Sequence, residues 1–137
     1  YQVALEAVNE ARAQDRTCRS ESDSKSYAAA PPLKWNGLLG EVARARAEYI
    51  EQTGEFSHYE GNSSERAIAT RARQVGYRYK ELGENLAQGY TEAREAVSAW
   101  LESTQGHCDT LMDPKFTEMG MVQRGEYWVL VVGQPSP

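Results

Sequence analysis

His58, Glu84, Ser103 and His107 stand in short polar stretches of a 137-residue chain, and their types could support chemistry. Neutral imidazole is the commonest metal ligand and the commonest general base, because its pKa lies near neutrality. His58 and His107 are the only histidines, and neither falls within an apolar stripe. With Glu84 they would make the His/His/Glu set of a catalytic zinc site, which leaves one position open for water. The spacing is not that of His-Glu-x-x-His on one helix, so tertiary structure must bring the three together. Ser103 lies four residues before His107, which allows a nucleophile and base with Glu84 as orienter. No Gly-x-Ser-x-Gly elbow accompanies it. A glycosidase pair of Glu84 and Glu102 is a further option, with no spacing to fix their separation. The structural alternatives are a His107 that caps the C-terminal end of the preceding helix and a Glu84 that ties down a glycine turn.

Composition narrows the partners. With 40% hydrophobic and 26% charged residues, the chain has globular usage and fits one domain over residues 1–137. Fifteen Lys and Arg against 20 Asp and Glu give a net charge of -5 without a basic stripe, which argues against nucleic acid. No apolar run approaches the roughly 20 residues of a membrane-spanning helix. Tyr1-Gln2-Val3 does not open a basic and apolar leader, so an exported protein would already have lost its own.

Cys18 and Cys108 are the only cysteines. Without a Cys-x-x-Cys pair or a cluster, zinc-ribbon and redox-motif readings are poor. One disulfide in an oxidising compartment is the natural proposal, with two buried free thiols as the alternative.

The elements that must position these residues are legible from periodicity. Ala4, Leu5, Val8 and Ala11 predict an amphipathic helix within residues 1–15, with Glu6, Asn9, Glu10 and Arg12 on other faces. Residues 17–32 read as a Ser-, Ala- and Pro-rich loop. Asn36 caps a second helix over about 37–53, whose Glu41, Arg44, Arg46, Glu48 and Glu51 read as a solvated face. Asn62 and Glu65 resemble a capping pair before a third helix that Gly76 ends. Glu84–Tyr90 reads as a strand, and Thr91 as the cap of a fourth helix through Trp100. A short helical turn after His107 stops at Pro114, and the runs Phe116–Gln123 and Tyr127–Val132 form a terminal hairpin. The aromatic residues Tyr77, Tyr79, Tyr90, Trp100, Tyr127 and Trp128 read as core and rim. Helices first and strands later favour an α+β layered domain.

Several motifs occur together in order: His58 in His-x-x-Gly, Gly76-Tyr77, Gly83-Glu84-Asn85-Leu86-Ala87, Trp100-Leu101-Glu102-Ser103, Gly106-His107-Cys108 and Phe116-Thr117-Glu118-Met119-Gly120. The series resembles the CAP superfamily, the SCP-like extracellular domain of cysteine-rich secretory proteins, antigen 5 and pathogenesis-related proteins. The Cys18 and Cys108 pair and the Leu33-Lys34-Trp35-Asn36 segment are similar to bacterial members.

The resemblance implies a three-layer α-β-α sandwich and a secreted, periplasmic or cell-envelope location. It also implies a central cavity in which His58, Glu84 and His107 take three of four positions and hold zinc or another divalent cation. The fourth position is a glutamate in animal members and Ser103 here, with Glu102 about 100° round the helix. Asn85 is expected to support the loop that presents Glu84. The resemblance further implies a non-enzymatic binding or interaction module for a lipid, a sterol or another extracellular partner. The alternative is a metal-dependent or Ser/His hydrolase drawing on His58, Glu84, Ser103 and His107.

Overall fold

The computed structural model describes residues 1–137. Its elements run α1 (Gln2–Arg12), β1 (Arg16–Arg19), β2 (Ser24–Tyr27), β3 (Lys34–Trp35), α2 (Gly37–Thr53), α3 (Ala67–Val75), β4 (Tyr79–Gln88), α4 (Ala93–Glu102), α5 (His107–Met112), β5 (Glu118–Arg124) and β6 (Tyr127–Pro135). The last four strands to be named in spatial order are β3-β5-β6-β4, with β3 parallel to β5 and the other neighbours antiparallel. The fold is α+β.

Strand β6 shows why the sheet lies in the middle. Its side chains alternate faces, and Trp128, Leu130 and Val132 join one core while Val129 and Val131 join the other. The first core is closed by α1, α4 and α5 through Val8, Val97, Trp100 and Leu111. The second is closed by α2 and α3 through Leu39, Val42, Ile50 and Ile68. An apolar run that is buried on both faces needs a helical layer on each side, which gives the α-β-α sandwich.

Two close approaches fix the layers. A Cβ on Gly120 of β5 would overlap the backbone of Leu39 and Gly40, so α2 lies directly on the sheet there. Gly133 of β6 leaves room in the same way for the Tyr77 ring, whose hydroxyl donates to Glu118 at 2.8 Å.

The stretch read as a loop over 17–32 contains the β1–β2 hairpin, paired from Arg16 with Tyr27 to Arg19 with Ser24. Its polar residues lack a period-two apolar signal because nearly all of them face water. A disulfide joins Cys18 on this hairpin to Cys108 on α5, 90 residues apart in sequence. The caps also differ from expectation at two helices. Helix α3 starts at Ala67 without a side-chain cap, because Glu65 is turned to Arg73 and Thr70. Helix α4 is capped by Glu92 in a reciprocal box with Glu95, and Thr91 donates its hydroxyl to Glu95 at 2.8 Å. Asn36 does cap α2, accepting from Leu38 and Leu39.

Candidate functional site

Strand β4 is the edge of the sheet and starts earlier than Glu84, at Tyr79. Leu82 and Leu86 enter the core under α2 and α3, and Glu84 between them points the same way. There it meets Arg46. The guanidinium donates to Glu84 from Nε at 2.8 Å and from Nη2 at 3.1 Å, and to Glu60 from Nη1 at 3.0 Å. It also donates to the Ser57 carbonyl. Arg46 is fully buried and Glu84 nearly so, which contradicts the reading of Arg46 as part of a solvated face. Burial opposes the Arg46 charge, but hydrogen bonds and the charges of Glu84 and Glu60 outweigh it and raise its pKa. The omission had a signal: residues 39, 42, 43, 46, 47 and 50 form one helical stripe, and Arg46 is its single charged member.

His58 lies in the segment between α2 and α3. Its Nδ1 donates to Glu84 at 2.7 Å, and its carbonyl accepts from the Ala67 N–H at 2.9 Å. Glu60 bridges Arg46 to Arg71, which bonds it at 2.9 and 2.8 Å. The loop is thus fastened to both helices through the ion network that carries Glu84.

His107 opens α5 after Gly106, whose φ of 92° is one that glycine adopts without strain. It is half-buried, and its Nδ1 lies 2.7 Å from the Ser103 hydroxyl at the end of α4. Burial, reinforced by the charge of neighbouring His58, lowers the His107 pKa. Asn85, fully buried on β4, donates to the His107 carbonyl at 3.0 Å. The free edge of β4 is covered on either side of Glu84, since Arg66 donates to the Leu82 carbonyl and Trp100 to the Leu86 carbonyl.

The structure therefore joins His58 to Glu84 and Ser103 to His107. Glu84 does not orient His107, and Glu102 is exposed. A polar cavity of about 280 Å³ opens beside His58 and Glu84, rimmed by Arg66, Asp109, Asp113 and Lys115.

A second, larger groove of about 750 Å³ lies at the far ends of β5 and β6, between the N-terminal ends of α1, α2 and α4. Trp35, Met121, Val122 and Trp128 form its apolar wall. Tyr1 stacks on Trp35 with ring centroids 4.6 Å apart, and the Trp128 indole N–H is tied to the Tyr90 carbonyl at 2.8 Å. Sequence reading had placed Trp128 only as core and rim.

The sequence profile of the cysteine-rich secretory protein family, CAP, matches residues 5–128. The chain belongs to the CAP family. It is 30% identical over 99 residues to protein YkwD of Bacillus subtilis, covering 71% of this chain and 37% of that protein. An extracellular SCP-domain protein of Bacillus anthracis superposes with a TM-score of 0.69 at 22% identity, over 77% of this chain and 34% of the other. A cysteine-rich secretory protein of Staphylococcus aureus gives a TM-score of 0.69 at 18% identity, over 96% and 38%. An outer surface protein of Borrelia burgdorferi gives 0.65 at 20% identity, over 78% and 80%. These three share the CAP fold. The chain spans little more than a third of YkwD, and none of its own helices is long and apolar enough to cross a membrane.

In this CAP chain the ligand set for a divalent cation does not fit the arrangement of the side chains. Both Glu84 oxygens are engaged by Arg46 and His58, and a guanidinium stands directly behind the carboxylate. No three His, Cys, Asp or Glu side chains are grouped to hold a metal ion.

Proposed function

We propose that residues 1–137 form a secreted or envelope-exposed CAP module that binds a neutral apolar ligand of the sterol type in the groove walled by Trp35, Met121, Val122 and Trp128. The apolar wall is the observation that carries this reading. Small-molecule sites occupy about 300–1,000 Å³, are mostly apolar and carry a few polar groups at one end, and a groove of about 750 Å³ with Glu41, Arg44 and Glu92 at its rim has that form. Two carboxylates face one guanidinium, and Arg44 is already paired with Glu48 at 3.1 Å. An anionic head group would meet net repulsion there, which favours a neutral hydroxyl over a carboxylate.

Gly37 lines the groove, and a Cβ there would meet nothing within 4 Å, so a side chain can be added without disturbing the core. Cholesterol delivered from cyclodextrin is expected to bind the native chain more tightly than palmitate. Gly37→Trp should fill the groove and remove cholesterol binding with its melting temperature unchanged. Equal binding by Gly37→Trp would place the ligand elsewhere.

The contact of Ser103 with His107 favours a second reading, a metal-free serine hydrolase. Its nucleophile and base are in reach at 2.7 Å, but no carboxylate orients His107. Loss of ester hydrolysis in Ser103→Ala would support it, and absence of turnover in the native chain would dismiss it.

A further inference from the structure

We propose that Tyr1, Val3 and Tyr90 form an apolar lip that seats the groove on the surface of a neutral, zwitterionic lipid bilayer, from which the ligand enters without crossing water. This inference rests on the apolar-ligand reading of that groove.

The large hydrophobic side chains that the fold leaves exposed are Tyr1, Val3, Phe56, Tyr59 and Tyr90, and three of them stand at the groove. Tyr1 and Val3 line it and are 72% and 56% exposed. Tyr90 is 36% exposed and precedes Thr91 and Glu92, which line it, and its carbonyl holds the Trp128 indole N–H of the wall. Val3 has no part in the stripe of Ala4, Ala7, Val8 and Ala11 by which α1 enters the core. The Tyr1 ring stacks on Trp35, so lip and wall form one continuous apolar surface. Exposed apolar patches of this kind mark protein or membrane contacts, and tyrosine suits the membrane interface because its ring is apolar and its hydroxyl is wet.

The ligand chemistry points to the membrane. A sterol-type molecule is driven out of water, so its source is a bilayer. A lip resting in the head-group region lets it pass from acyl chains to the wall of Trp35 and Trp128 with little of its apolar surface hydrated on the way.

Charge selects the bilayer. Anionic membranes attract free Lys and Arg. Arg44 is the one cationic side chain among the lining residues, and Glu48 engages it at 3.1 Å, while Glu41 and Glu92 add two carboxylates. Arg124, next to Gln123 of the lining, is held by Glu51 at 3.2 Å and Glu48 at 3.4 Å. This face therefore offers an anionic surface repulsion, and a phosphatidylcholine surface carries no net charge to oppose it. Phe56 is exposed to a similar degree, at 45%, but packs on Tyr127 and does not line the groove, which makes it the control.

The test compares two routes of cholesterol delivery to the full chain, from phosphatidylcholine vesicles and from cyclodextrin. In Val3→Ser/Tyr90→Ser, uptake from vesicles should slow several-fold and flotation with cholesterol-free phosphatidylcholine vesicles should fall, while affinity for cholesterol from cyclodextrin changes far less. Phe56→Ser should behave as the native chain in all three. Vesicle uptake and flotation equal to native in the double variant, or stronger flotation of the native chain with phosphatidylglycerol vesicles than with phosphatidylcholine, would overturn the lip. A native chain that takes no cholesterol from cyclodextrin would sink the apolar-ligand reading instead, and flotation of the native chain against the double variant would still decide the lip.

Discussion

The Arg46 guanidinium grips both oxygens of the Glu84 carboxylate, at 2.8 and 3.1 Å, beneath the loop that carries His58. This ion pair links the core of the α2 layer to the polar cavity, and the orientation of His58 depends on it. Removing one partner of a buried pair leaves an uncompensated charge, which destabilises by about 3–5 kcal/mol. Arg46→Met should therefore lower the urea-unfolding free energy by about that amount. A loss under about 1 kcal/mol, the range of an exposed pair, would show that the pair is solvated instead.

The Cys18–Cys108 disulfide ties the β1–β2 hairpin to the helix that begins with His107. Closing a loop of 90 residues restricts the unfolded chain, and removal of such a bond costs about 2–5 kcal/mol. The double variant Cys18→Ser/Cys108→Ser should show that loss in thermal unfolding. Amide exchange should accelerate first in the hairpin and α5, while β6 keeps its protection. Uniform acceleration across the sheet would contradict this local role.

At Gly120 the limit is steric. An alanine there would press on the α2 backbone, which cannot rotate aside as a side chain can. Overpacking costs about 1–3 kcal/mol, and Gly120→Ala should lie at the upper end of that range or above it. Gly37→Ala, which meets open space, is the control and should be close to neutral. Equal melting temperatures for the two variants would refute the close helix–sheet contact.

Acid should act on stability through His107. Its folded-state pKa lies below the ordinary 6.5, so the unfolded chain binds the proton more readily. The contribution is therefore fully present above about 6.5 and is lost as pH falls through the folded value. Glu65, held at about 2 by Arg73 and Thr70, titrates far below this window. Unfolding free energies measured between about pH 8 and 5 should fall towards acid in the native chain and less steeply in His107→Gln. Parallel curves would show that His107 is not the responsible group.

The helices and the hairpin of β5 and β6 were readable because apolar residues repeat at 3.6 or 2 along single segments. Val129 and Val131 against Trp128, Leu130 and Val132 are the clearest instance. Arg12 was not placed correctly. It was read as lying outside the apolar face, yet it is fully buried and donates to the carbonyls of Pro31, Leu111, Asp113 and Phe116. Periodicity reports which face a residue occupies, and it does not report a guanidinium satisfied by four distant carbonyls. The two-residue β3 escaped for another reason, since it exists only through its pairing with Glu118 and Met119. The site residues were recognisable by type, but their pairing was not. Glu84 lies 26 residues from His58 and is joined to it only by the fold.

On the proposed function, a neutral apolar ligand would sit against Trp35 and Trp128. The chain has three tryptophans, so three indole N–H signals report on three places at once. Trp100 is buried in the core with its N–H on the Leu86 carbonyl, and serves as an internal reference. The measurement is a titration with cholesterol followed by NMR of these signals. The signals of Trp35 and Trp128 should move together to saturation while that of Trp100 stays still. No movement at Trp35 and Trp128, or movement of Trp100 with them, would contradict it.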